Sequence, residues 1–224
     1  MIQGVLFDLF ETLVTERNAS VRWASSLAAE IGVNEDAYRQ RWRTGRFDVV
    51  LGRRAFRDTL AQIVLALGGK TDEQLLERLR SERLEQKVSV LRTVEPDVLA
   101  AIGILRAKGL KLAVVTNSFA EDVAGWDRSP LRSLFDVTVF SSAAGLAKPD
   151  PRIYLLACRE LDVPPGRALF IGDGADDELS GARTAGLSAC RALWFLSRWP
   201  HSTLPPSEPG LWHSADVVHA AMAT

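Results

Sequence analysis

Three short apolar runs in this chain each stop at residues that can do chemistry. Val5-Leu6-Phe7 stops at Asp8, Leu112-Ala113-Val114-Val115 stops at Thr116-Asn117, and Ala168-Leu169-Phe170-Ile171 stops at Gly172-Asp173. Lys148 follows a further run, Val137-Thr138-Val139-Phe140, by several residues, and Asp176, Asp177 and Glu178 trail Asp173. Carboxylates, a hydroxyl, an amide and an ammonium gathered in one place could receive an anion or hold a hard cation. Magnesium prefers oxygen ligands and keeps several waters, so a few carboxylates suffice for it. The acids after Asp173 also have a plainer reading, since acids in the first turn of a helix gain about 0.3–1 kcal/mol from its dipole.

Whether these groups meet depends on the elements that carry them. Short apolar runs bounded by polar residues read as buried strands of a parallel sheet. Pro96 suits a first helical position, with Val98, Ile102 and Leu105 on the buried face and Gly109 at the end. Asp150-Pro151 opens another helix as cap and first residue, one more runs from the Asp173 loop to about Gly186, and Ala189 to Trp194 suggests a fifth strand. Strand alternating with helix predicts an α/β protein, a Rossmann-like parallel sheet core with helices on both faces and right-handed crossovers. Ligands of such sheets bind outside the carboxyl ends of the strands, so Asp8, Thr116-Asn117, Lys148 and Asp173 are expected to converge on one crevice.

A helical block interrupts this alternation after the first strand. From about Ser20, Val21, Ala24, Ala28 and Ile31 share a face that Gly32 closes. Phe56, Leu60, Ile63, Val64 and Leu67 repeat at helical spacing up to Gly68-Gly69, and Thr71 with Gln74 reads as a capping box before Leu75, Leu76 and Leu79. The block predicts an inserted all-helical cap over residues 15–90, with the α/β core in residues 1–14 and 91–224. The stretch from Ser197 to Gly210, rich in Pro and Ser, reads as an irregular surface segment.

Bulk properties exclude several classes. The 224 residues are 47% hydrophobic and 25% charged with a net charge of -1, enough for one domain or one domain with an insertion. So even a balance points away from nucleic acid and from anionic membranes. Cys158 and Cys190 are too few for a disulfide framework and, lying in apolar runs, read as buried thiols. The N-terminus, Met1-Ile2-Gln3-Gly4, lacks the pattern of a secretory signal, and no apolar stretch reaches the ~20 residues that span a bilayer. A cytoplasmic monomer or homodimer is expected.

Asp8-Leu9-Phe10-Glu11-Thr12, Thr116-Asn117, Lys148-Pro149 and Gly172-Asp173 resemble, in order and spacing, the four motifs of the haloacid dehalogenase (HAD) superfamily, over nearly the whole chain. The inserted block resembles that of the subgroup with a helical cap after the first strand. The resemblance implies that Asp8 attacks the substrate to form a covalent intermediate, its charge offset by a metal and a lysine. It implies that Mg²⁺ is held by Asp8, the backbone carbonyl of Phe10, Asp173 and an acid four or five residues further on. Asp177 and Glu178 both fit that spacing, with Glu178 preferred by counting back from Gly181-Ala182 and Gly186. Thr116 would hydrogen-bond the transferring group with help from Asn117, and Lys148 would neutralise developing charge. Of the arginines in the cap (Arg17, Arg22, Arg39, Arg41, Arg43, Arg46, Arg53 and Arg54), Arg41 and Arg43 are candidates for binding an anionic substrate, the rest reading as a solvated face. Trp23 and Trp42 read as packing residues, and His201, His213 and His219 have no tie to the crevice.

One position departs from the pattern. Phosphatases of this superfamily usually carry a second Asp two residues after the nucleophile, where it moves a proton; here that residue is Phe10. General acid–base help is typically worth about 10²–10⁴-fold. The first expectation is a hydrolase acting as a Mg²⁺-dependent phosphatase on a small phosphorylated metabolite, with a substitute acid or a restriction to good leaving groups. The second is a 2-haloacid dehalogenase, which Phe10 and the pair Lys148 and Tyr154 resemble but the acids around Asp173 do not. The third is a binding protein on a catalytically impaired scaffold.

Overall fold

The computed structural model describes residues 1–17, 24–199 and 209–223. The expected helix start at Ser20, with Val21, Arg22 and Trp23, the side chain of Ala24, and His201 lie outside the described residues.

The first strand, β1 (Gly4–Phe7), leads into four consecutive helices: α1 (Ala24–Glu30), α2 (Glu35–Val50), α3 (Phe56–Ala66) and α4 (Glu73–Arg92). Then α5 (Pro96–Ala107), β2 (Lys111–Thr116), the short α6 (Ala120–Val123), β3 (Val137–Phe140), the short α7 (Ser141–Ala144) and α8 (Pro151–Leu161) follow. The chain closes with β4 (Ala168–Gly172), α9 (Glu178–Thr184), β5 (Ser188–Arg191) and α10 (Asp216–Ala223). The strands form one parallel sheet in the order β3-β2-β1-β4-β5, which makes β1 central.

The period-two alternation of the strands sorts the core into two layers. Val5, Phe7, Leu112, Val114, Leu169 and Ile171 face α5 and α10, through Val98, Ile102, Leu105, Val217 and Ala221. Leu6, Ala113, Val115, Ala168 and Phe170 face α8 and α9, through Ile153, Tyr154, Ala157, Cys158, Leu161 and Ala182. Helices therefore cover both faces, as a parallel sheet requires. The inserted helices bury their own cluster around Tyr38, Val49, Phe56, Leu60, Ile63 and Leu76, joined by Phe119 and Ala147 from the sheet side.

Local signals placed most boundaries. Asp150 caps α8 by accepting from the Arg152 N–H, with Pro151 at the first position, and Pro96 starts α5. The expected Thr71 cap is corrected by one residue. Asp72 accepts from the Gln74 and Leu75 N–H groups, as a carboxylate in extended backbone does at an N-cap. Helix α2 had no clear apolar stripe in the sequence, because Tyr38, Trp42, Val49 and Val50 are spread among arginines; Trp42 packs against Tyr38, Phe56 and Phe119. The fifth strand ends at Arg191, where Ala192 turns to bridge Leu211.

Candidate active site

Asp8, Thr116 and Asp173 leave three adjacent strands at their carboxyl ends, because β1 lies between β2 and β4. Asp8 continues the ladder, donating its N–H to the Ile171 carbonyl at 2.8 Å, and its side chain is buried. Lys148 arrives from the loop before α8. Its Nζ lies 2.5 Å from Asp8 Oδ1 and 2.5 Å from Glu178 Oε2, and it too is buried. The other Glu178 oxygen accepts from the Gly174 N–H at 2.9 Å. Asp173 Oδ1 accepts from the Ala175 N–H at 2.9 Å.

Two glycines make this approach possible. A Cβ at Gly172 would meet Glu178 Oε1 at 2.1 Å, and one at Gly181 would meet the Pro149 carbonyl oxygen at 2.3 Å. The Gly-Asp pair therefore leaves β4 as glycine so that a buried carboxylate can sit on its backbone, and α9 can lie against the lysine loop. Of the two trailing acids, Glu178 joins the cluster, whereas Asp177 is exposed and stands outside it. Its place outside follows from the left-handed turn at Asp176 and Asp177, φ 52° and 54°, just before α9.

Carboxylate oxygens of Asp8, Asp173 and Glu178 lie within 4.8 Å of one another. Three carboxylates against the one ammonium of Lys148 leave two negative charges in a desolvated place. Burial pushes the Asp8 carboxyl up to about 7, the Lys148 ammonium opposing and the Glu178 charge reinforcing the rise. Asp173 is raised by burial and by the Asp8 charge. Glu178 is raised by burial and by Asp173, against the pull of Lys148. Burial alone would lower Lys148, but Asp8 and Glu178 hold it well above the usual lysine range. An all-oxygen donor set with uncompensated negative charge fits a hard divalent cation.

Thr116 is buried as the last residue of β2. Asn117 serves as a lock: its Oδ1 accepts from the Lys148 N–H at 2.8 Å and its Nδ2 donates to the Lys148 carbonyl at 2.9 Å. The same Nδ2 lies 3.0 Å from Asp176 Oδ2, and Arg46 of α2 reaches the other Asp176 oxygen at 2.7 Å. Arg41 and Arg43 are exposed on α2, and neither has a contact with the crevice among the described residues. Arg46 is the arginine of this helix that crosses to the sheet.

The loop after β1 carries Phe10, half-buried. Its bridge to Val14 runs through the Leu9 carbonyl and the Glu11 N–H, leaving the Phe10 carbonyl outside that bridge. The buried Lys87 of α4 places Nζ 4.1 Å from the centre of the Phe10 ring and bonds the Glu16 carboxylate. Sequence reading missed Lys87, although it lies on the buried stripe of α4 with Leu76, Leu79 and Val90. Tyr154 is fully buried and donates to the Glu178 carbonyl at 2.7 Å. Cys158 is buried and Cys190 half-buried; both are free thiols, and burial pushes the former up to about 11. His213 and His219 are exposed, the first facing Asp216.

The family model described as haloacid dehalogenase-like hydrolase matches residues 2–186. The chain is 30% identical over 223 residues to N-acetylmuramic acid 6-phosphate phosphatase of Pseudomonas aeruginosa, covering 97% of this chain and 90% of that one. It is 28% identical over 200 residues to (S)-2-haloacid dehalogenase 4A of Burkholderia cepacia, covering 85% and 82%. A HAD-family enzyme of Bacteroides thetaiotaomicron, solved with magnesium and inorganic phosphate, has the same fold at a TM-score of 0.62 and 16% identity, covering 92% of this chain and 98% of that one.

Proposed function

This chain belongs to the haloacid dehalogenase-like hydrolase family, and we propose that it is a Mg²⁺-dependent phosphatase acting on a small, anionic phosphorylated metabolite. It is a hydrolase, and its relatives include both phosphatases and 2-haloacid dehalogenases. The observation that carries the phosphatase reading is the group Asp8, Asp173 and Glu178, of which Asp8 and Glu178 are buried against a single lysine and Asp173 is half-buried. A carboxylate nucleophile that displaces halide has no use for two further acids beside it, whereas a phosphoryl group brings its own negative charge and calls for a cation.

Asp8 is the nucleophile, and its oxygen attacks phosphorus. Lys148 holds that oxygen in place and offsets its charge. Thr116 contributes a hydroxyl toward the phosphoryl oxygens, and Asn117 fixes the Lys148 backbone. Asp8, Asp173 and the Phe10 carbonyl would hold Mg²⁺, with Glu178 supporting them. When bound, the ion would neutralise charge on the phosphoryl oxygens. The helical insertion, residues 15–90, would act as a cap over the crevice.

The test is phosphate release from generic esters with and without Mg²⁺, beside halide release from a 2-chloro acid. Phosphate release that vanishes on chelation, and in Asp8→Asn, supports the reading. Halide release without added metal would replace it by the dehalogenase reading, which Phe10 favours.

A further inference from the structure

Asp176 is not one of the acids gathered on Asp8, yet its carboxylate is where the inserted helices meet the residues that hold Lys148. Its Oδ1 accepts from Arg46 Nη2 at 2.7 Å and its Oδ2 from Asn117 Nδ2 at 3.0 Å. Asn117 in turn holds the backbone of Lys148 on both sides, accepting from its N–H at 2.8 Å and donating to its carbonyl at 2.9 Å. A side-chain amide is planar, so its oxygen and nitrogen are fixed relative to one another, and the nitrogen has two hydrogens to give. One goes to Lys148 and the other to Asp176. Whatever orients Asp176 therefore orients the oxygen that receives the Lys148 N–H.

The same stretch meets the inserted helices twice more. Ser118 donates its N–H to the buried Ser141 hydroxyl at 2.9 Å, and that hydroxyl donates to the Val50 carbonyl, at the end of α2, at 2.7 Å. Phe119, and Ala147 directly before Lys148, are buried in the apolar cluster of the inserted helices with Tyr38, Phe56 and Leu76. Arg46 and Val50 are four residues apart and so share a face of α2. Three consecutive residues after β2, Asn117 to Phe119, thus meet the inserted helices through a carboxylate, a hydroxyl and a ring in turn.

The Arg46–Asp176 pair is too open to serve stability, with side chains 44% and 35% exposed, and exposed pairs add little. Asp176 nevertheless holds left-handed backbone at φ 52°, a conformation that costs a residue with a Cβ.

We propose that Arg46 and Asp176 are positioning residues. Docking of α2 fixes the Asp176 carboxylate, which orients Asn117, which seats Lys148 with its Nζ 2.5 Å from both Asp8 and Glu178. Neither residue acts on the substrate itself. The lysine is fully placed only while the inserted helices are docked. The inference rests on the phosphatase reading only in that Lys148 serves that reaction.

The experiment uses the full chain with Mg²⁺ and 4-nitrophenyl phosphate, in Arg46→Ala, Arg46→Lys, Asp176→Asn and the double variant Arg46→Ala with Asp176→Asn. Hydrogen exchange at the Lys148 amide is measured beside turnover. Asn tolerates left-handed backbone and keeps an oxygen for Asn117, so Asp176→Asn removes little but the charge. Arg46→Ala and Asp176→Asn are each expected to lower kcat about tenfold with KM within about twofold, as a residue within a coupled network does, and to speed exchange at Lys148. The double variant is expected to be no worse than either single one, because both break the same link. Arg46→Lys should restore most of the rate, since a contact through one nitrogen asks for charge and not for the guanidinium fork. A raised KM at unchanged kcat in Arg46→Ala would overturn the inference in favour of substrate binding by Arg46. A raised Mg²⁺ requirement in Asp176→Asn would overturn it in favour of a metal contact, and both results spare the phosphatase reading. Unchanged exchange at Lys148 in both variants would also overturn it. If the unaltered chain releases no phosphate, the phosphatase reading fails, and exchange at Lys148 still decides whether Arg46 seats that residue.

Discussion

Burial holds the Asp8 carboxyl near pH 7, and Asp173 and Glu178 are shifted the same way. An unfolded chain returns Asp8 to about 3.9, so the folded form binds its proton more tightly. The stabilising state is therefore the protonated one: stability falls as pH rises from about 4 to 7, and the full penalty remains above that. The proposed nucleophile is thus placed at a cost to the fold. Asp8→Asn removes the buried charge and keeps the shape. It is expected to raise the metal-free melting temperature at pH 8 while reducing turnover to background; a lower melting temperature would show that the Lys148 contact outweighs desolvation. Phe10→Asp is expected to raise phosphate release, most of all for alcohol esters, by up to about 10²-fold. An unchanged rate would mean that Phe10 does not limit the reaction.

Two kinds of contact join the inserted helices to the sheet, and they differ in burial. Arg46 of α2 meets Asp176 in the open, with side chains 44% and 35% exposed. Exposed pairs are worth about 0–1 kcal/mol. By contrast, Lys87 of α4 is buried against Glu16 and near Asp122, and Arg83 of the same helix contacts Asp122 at 2.6 Å. Removing one partner of a buried pair costs about 3–5 kcal/mol, since the remaining charges lose their compensation. Lys87→Met is therefore expected to lower the melting temperature strongly. Arg46→Ala should scarcely move it, yet should lower kcat/KM, because Asp176 and Asn117 connect that arginine to the backbone of Lys148. Comparable melting temperatures for the two variants would refute this division.

Over the whole molecule, the charge in the crevice would couple folding to the proposed cation. A ligand that binds only the folded state at a hundred times its Kd stabilises by about 2.7 kcal/mol. Thermal melting between pH 5 and 8 is expected to show stability falling with pH in chelator and a Mg²⁺ increment that grows toward pH 8, as the carboxylates ionise. A Mg²⁺ effect independent of pH, or equally present in a variant lacking Asp8 and Asp173, would show that the ion binds elsewhere.

The sequence alone was enough for whatever depends on neighbours in the chain. Apolar runs of three or four residues marked β1, β2, β3 and β4, and alternation with helices implied the parallel order that brings the ends of β1, β2 and β4 together. Asp8, Lys148 and Asp173 could be named on that basis, and so could the anomaly at Phe10. Contacts between residues far apart in the chain were decided only by the tertiary structure. Glu178 enters the buried cluster and Asp177 does not, because a left-handed turn precedes α9. Arg46 crosses to Asp176 while Arg41 and Arg43 stay in solvent, because the packing of α2 on α1 and α3 sets which face looks at the sheet. Lys87 lies buried over Phe10 because α4 runs past the loop after β1. Periodicity tells which residues share a face; only packing tells what that face meets.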